Sequence, residues 1–142
     1  MTQAPTLPAA EPSVNFKHRV FVVDDHALMR RSIVAALERE PDLTVCGQAE
    51  DAAEALDAIA AARPDLVLTD ILLKSSSGLD LIRVLPAQFP ALPVVATTMF
   101  DVRRNERLAR AAGAAGFCAK QEGPAKLLAA VRAALKPRPL PR

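Results

Sequence analysis

Four apolar runs in this 142-residue chain each end in a residue able to do chemistry. Asp24, Asp25 and His26 follow RVFVV, Asp70 follows DLVLT, Thr97 and Thr98 close LPVVATT, and Lys120 follows AGFCA. Three carboxylates gathered in one place repel, and each raises the pKa of the others unless a cation neutralises them. Their hard oxygens suit Mg²⁺, which accepts one or two carboxylates, several waters and a phosphoryl group. Lys120 and Thr98 then supply a positive charge and a hydrogen bond on the far side of such a group. A carboxylate held beside Mg²⁺ can attack phosphorus and form an acyl phosphate. The chemistry expected of this set is phosphorylation of Asp70.

Taken singly, each residue has an ordinary role. Asp25 can N-cap a helix, Asp24 can be a solvated turn residue, and Asp70 can end a strand and cap a loop. Thr98 fits strand filler, and Lys120 fits a solvated surface side chain. The signal is their joint placement at four strand ends.

That placement requires elements to carry it. The apolar runs Arg19–Val23, Leu43–Ala49, Asp65–Thr69, Leu92–Thr97 and Ala115–Ala119 read as buried strands. Between and after them, helical stripes cover His26–Glu40, Asp51–Arg63, Gly78–Phe89, Asp101–Ala112 and Pro124–Lys136. Asp51 and Glu54 have capping-box spacing. Pro86 stands where it should kink the third helix or end it early. Gly113 suits a C′ position and Pro124 a first helical turn. Five strands alternating with five helices predict a doubly wound parallel sheet with helices on both faces. Ligands then bind beyond the carboxyl ends of the strands. Residues 1–16 and 137–142 are proline-broken, lack periodicity and are expected to be extended tails flanking a single domain at 17–136.

Composition narrows the class. A net charge of +2 and 51% hydrophobic letters fit an ordinary globular domain rather than a disordered chain. Aromatics are 4% with no Trp or Tyr, which argues against a base-stacking platform. No run of about 18 apolar residues occurs, and no signal peptide is evident, so a cytoplasmic location is expected. Cys46 and Cys118 are too few and too far apart for a zinc site, and read as small core residues. Acidic residues after strand one stand where a glycine-rich nucleotide cradle would be.

The segments VVDDHALMRRSIVAALE, DLVLTDILLKSSSGLDLI, PVVATTMF and AAGAAGFCAK together resemble response-regulator receiver domains, over roughly Lys17 to Lys136, and most of all the NarL/FixJ type. The resemblance implies a flavodoxin-like strand order of 2-1-3-4-5 and phosphorylation of Asp70 by a sensor histidine kinase. It also implies direct Mg²⁺ ligation by Asp25, Asp70 and the backbone carbonyl of Leu72, with Asp24 acting mainly through water. Thr98 and Lys120 would contact the phosphoryl oxygens, and Phe117 would be the aromatic switch residue that rotates when Thr98 moves. Lys74 and Gln121 replace prolines found in many receivers, so no cis peptide is expected after Lys120. Phe100 is bulky beside the site, where it either shields an acyl phosphate or packs on its loop.

Arg103, Arg107 and Arg110 form one stripe on the fourth helix, with Asn105, Leu108, Ala109 and Ala112 opposite. It reads either as a solvated face or as a docking surface for an acidic partner or a second receiver. His26 either influences kinase docking or is an ordinary exposed loop residue. The expected function is a phosphorylation-controlled module acting through protein contacts, with possible phosphorylation-dependent homodimers and a downstream protein partner. It is expected to turn over no separate substrate and not to bind DNA specifically on its own. The alternative is the receiver portion of a helix-turn-helix regulator. An aspartyl phosphatase would need an acid two residues after Asp70, where Leu72 stands.

Overall fold

The computed structural model describes residues 16–73 and 75–135. Every expected element is present: β1 (His18–Val23), α1 (Ala27–Glu38), β2 (Leu43–Ala49), α2 (Ala52–Ala62), β3 (Leu66–Asp70), α3 (Gly78–Gln88), β4 (Val94–Thr98), α4 (Val102–Ala112), β5 (Gly116–Ala119) and α5 (Pro124–Ala134). A 3₁₀ turn, Lys120–Glu122, joins β5 to α5. The strands are parallel in the order β2-β1-β3-β4-β5. The expected tails lie outside the described residues apart from Phe16, as does Lys74.

Alternation along each strand divides the interior in two. Phe21 and Val23 of β1, Val67 of β3 and Ala96 of β4 meet Ala55 and Ile59 of α2, Leu81, Ile82 and Leu85 of α3, and Ala109 of α4. Val20, Val22, Leu66, Leu68 and Val95 point the other way, onto Ile33 and Leu37 of α1 and Leu127 and Val131 of α5. Because all the strands run one way, their carboxyl ends lie along a single edge.

Local chemistry sets the element ends. The Asp51 carboxylate accepts from Glu54 N at 2.9 Å, while Glu54 accepts from Glu50 N at 3.0 Å, one residue before the box position. Gly113 closes α4 with φ +117°, and Pro124 opens α5. α3 is not ended early by Pro86, since it runs through that residue to Gln88. Burial of Leu81, Ile82 and Leu85, with the Phe89 N to Leu85 O bond at 2.7 Å, outweighs the missing proline N–H. α1 ends at Glu38, two residues short of the expected end.

Cys46 sits where the β1–β2 register shifts, between partners Val20↔Val45 and Phe21↔Gly47, and Cys118 is on the opposite edge strand. Both are free thiols. At the edge remote from Asp70, the Arg132 guanidinium of α5 donates to Asp42 at 2.7 and 3.0 Å and to Glu40 at 2.6 Å. Hydrogen bonding from Arg132 holds the Asp42 carboxyl below its ordinary range. His18 N at the start of β1 donates to Asp42 O at 2.9 Å.

Candidate functional site

Asp24, at the end of β1, and Asp70, at the end of β3, are 1% and 5% exposed. Lys120 follows β5, and its side chain, 3% exposed, reaches between them: Nζ is 2.6 Å from Asp24 Oδ2 and 2.8 Å from Asp70 Oδ2. Neither acid is a solvated turn residue, and the lysine is not a surface lysine. Burial alone would lower the Lys120 pKa, but its hydrogen bonds with Asp24 and Asp70 outweigh that and raise it. The ammonium therefore stays charged.

The other contacts fix each carboxylate. Asp24 Oδ1 accepts from His26 N at 2.9 Å, so both of its oxygens have protein donors. Asp70 Oδ1 accepts from Leu72 N at 3.2 Å. Asp25 does not cap α1, whose N-cap is His26 without a side-chain bond. Its Oδ1 instead lies 3.2 Å from His26 Nδ1, on a ring that is 69% exposed. One ligand atom from each of Asp24, Asp25, His26 and Asp70 lies within 4.8 Å of the others. Three of these four residues offer carboxylate oxygens, the donor set that suits a hard divalent cation such as Mg²⁺.

Thr98 and Phe117 complete the set differently. Thr98 is fully buried, and its hydroxyl faces the β4–α4 turn: it donates to Phe100 O (3.2 Å) and accepts from Phe100 N (3.4 Å) and Asn105 Nδ2 (3.2 Å). Phe117 pairs with Ala96 and is half-buried against the core beneath α4. Phe100 uses its backbone in these contacts, and it is 67% exposed. The arginines Arg103, Arg107 and Arg110 are exposed, and Arg110 Nε donates to Glu106 at 3.1 Å. Leu108, expected on the packed face, is 37% exposed.

Some supporting residues were not singled out from the sequence. Arg30 donates to Asp24 O at 2.6 Å and to Gln48 at 3.0 Å, pinning the turn that carries the acid pair. Gly78 begins α3, where an added Cβ would lie 1.9 Å from Asp70 O. That oxygen belongs to backbone, so no rotamer relieves the clash. Gly78→Ala is expected to cost about 1–3 kcal/mol in denaturant melts and to displace Asp70. Unchanged stability would show that this approach is not required.

Residues 20–132 match the family model of the response regulator receiver domain. The chain belongs to the response-regulator receiver family. This receiver is 36% identical over 114 residues to the DNA-binding transcriptional activator DevR/DosR of Mycobacterium tuberculosis, across 80% of this chain and 52% of that protein. It is 39% identical over 84 residues to a protein-glutamate methylesterase/protein-glutamine glutaminase of Pyrococcus abyssi, across 59% of this chain and 23% of that protein. The crystal structure of a LuxR-family two-component response regulator from Aurantimonas sp. SI85-9A1 aligns with a TM-score of 0.78 at 31% identity, covering 82% of this chain and 84% of that one. The receiver thus spans about half the length of the first relative and about a quarter of the second. One of these relatives is a DNA-binding transcriptional activator and the other an enzyme.

Proposed function

We propose that Asp70 accepts a phosphoryl group from a sensor histidine kinase in the presence of Mg²⁺, and that this switches a protein-contact surface on α4, β5 and α5. The observation that carries the reading is the buried Lys120 ammonium within 2.8 Å of both Asp24 and Asp70. Asp25, Asp70 and the Leu72 carbonyl would hold the ion directly. Asp24, with both oxygens engaged by protein donors, would act through water. When bound, Mg²⁺ neutralises carboxylate and phosphoryl charge.

An Asp70 carboxylate oxygen attacks phosphorus, forming the acyl phosphate as the bond from phosphorus to the donor breaks. The donor group leaves with that electron pair. Lys120 turns its charge from Asp70 to the incoming phosphoryl oxygens, and Thr98 offers them its hydroxyl proton. A charge of roughly −2 then favours the arrangement in which Thr98 faces the site, and Phe117 can move into the space it leaves. The test is incubation with acetyl phosphate and Mg²⁺ followed by intact-mass measurement. One phosphoryl mass is expected, absent with a chelator and released by hydroxylamine. No mass gain under these conditions refutes the reading.

The stripe Arg103, Arg107 and Arg110 is read as part of the switched surface, contacting an acidic partner or a second copy. Arg103→Glu with Arg107→Glu is expected to weaken phosphorylation-dependent self-association about tenfold in sedimentation equilibrium. Equal affinity would leave the stripe a solvated face. The half-length match to DevR/DosR favours a second reading of output, in which this receiver controls a DNA-binding domain in one polypeptide. The parent reading frame decides that point. The module is read as cytoplasmic and as having no substrate of its own. Among the described residues no helix is long and apolar enough to cross a membrane.

A further inference from the structure

Asn105 is 6% exposed on the packed side of α4, an unfavourable place for an amide unless its hydrogen bonds are met. Here they are met by the turn that precedes the helix. Nδ2 donates to Phe100 O at 2.7 Å and to the Thr98 hydroxyl oxygen at 3.2 Å. The same turn carries Asp101 at φ +47°, a left-handed conformation that disfavours side chains and persists only when surrounding contacts hold it. The Asn105 backbone N also donates to Asp101 O at 2.9 Å, so one residue ties both ends of the turn.

We propose that Asn105 is a positioning residue that holds the Thr98 hydroxyl toward the β4–α4 turn and so opposes its engagement with a phosphoryl group on Asp70. This rests on the phosphoacceptor reading and adds the restraint that phosphorylation must overcome. A threonine hydroxyl has one proton to donate. In the resting arrangement that proton goes to Phe100 O, while Phe100 N and Asn105 Nδ2 donate to the Thr98 hydroxyl oxygen. Turning Thr98 toward Asp70 breaks all of these at once. Asn105 thereby sets how readily the switch is thrown, without touching the reacting atoms.

Initial rates of Asp70 phosphorylation by acetyl phosphate with Mg²⁺ test this in the full chain, for wild type, Asn105→Ala, Thr98→Val and the double variant. Asn105→Ala is expected to be about three- to tenfold faster than wild type, the factor that a net buried hydrogen bond or two carries. In the Thr98→Val background the same change is expected to alter the rate less than twofold. Asn105→Ser, with a single short donor, should fall between wild type and Asn105→Ala, and it keeps the test open if alanine unfolds the turn. An unchanged or slower rate in both Asn105 variants overturns the proposal. So does an equal acceleration with Val at position 98, which would mean that Asn105 acts on the loop and not through the hydroxyl. If wild type takes up no phosphoryl group, the phosphoacceptor reading itself fails. The restraint is then judged in the unmodified protein, where Thr98→Val must shift the Asn105 side-chain amide resonances if the hydrogen bond exists.

Discussion

Asp70→Asn is expected to abolish uptake of the phosphoryl mass from acetyl phosphate while leaving the protein folded. The amide cannot attack phosphorus at neutral pH, and the nearby acids are differently placed: both Asp24 oxygens already serve protein donors. Asn is close in shape to Asp and keeps one acceptor oxygen, which serves Leu72 N or, on turning over, Lys120 Nζ, but not both. Its effect on stability follows from counting charge. Asp24 and Asp70 share one Lys120 ammonium, with Asp25 close by. Desolvation by burial pushes the Asp70 carboxyl above its usual range, and Lys120 only partly offsets this. Removing that carboxylate leaves Lys120 paired with Asp24 and relieves repulsion, so the thermal midpoint should hold or rise. Equal labelling of the variant would move the chemistry to another residue. A large fall in melting temperature would mean that the pair with Lys120 matters more to the fold than the repulsion it quenches.

Lys120→Met is expected to have the opposite signature. Methionine fills the volume but leaves Asp24 and Asp70 buried without their shared counter-charge. Breaking a buried ion pair from one side costs about 3–5 kcal/mol. The variant should therefore melt well below wild type in metal-free buffer. Added Mg²⁺ should recover part of the loss and stabilise the variant more than it stabilises wild type, because a ligand that binds only the folded state adds stability by mass action. Phosphorylation should fall about 10²–10³-fold, the scale of losing one preorganised group that stabilises transition-state charge. Thermal melts with and without Mg²⁺, together with the labelling rate, check all three outcomes. Indifference of the variant's melt to Mg²⁺ would count against a cation among these carboxylates.

The fold was legible because its strands are short apolar runs and its helices keep their stripes, so β3 could be placed to within a residue from DLVLTD alone. The convergence of Asp24, Asp70 and Lys120 followed from the parallel order, since strand ends in such a sheet share an edge. What the sequence left open depends on distances between segments far apart in the chain. Nothing local says that Gly78 must pass against Asp70 O, or that Arg30 reaches back to Asp24 O. Pro86 was a sound local reason to kink α3 or end it early; the helix does not end there, and it buries Leu81, Ile82 and Leu85. Asn105 did carry a signal, a polar residue on the apolar side of α4, but its partners Thr98 and Phe100 could be named only in three dimensions.

The clasp between Arg132, Asp42 and Glu40 has a consequence for wiring. It brings the last turns of α5 beside the first residue of β1, on the side of the sheet away from Lys120. The described residues begin at Phe16 and end at Leu135, and both lie on that rear side, away from the acid pair. A change at Asp70 could reach those two points only through the packed body or by changing what binds its flanks.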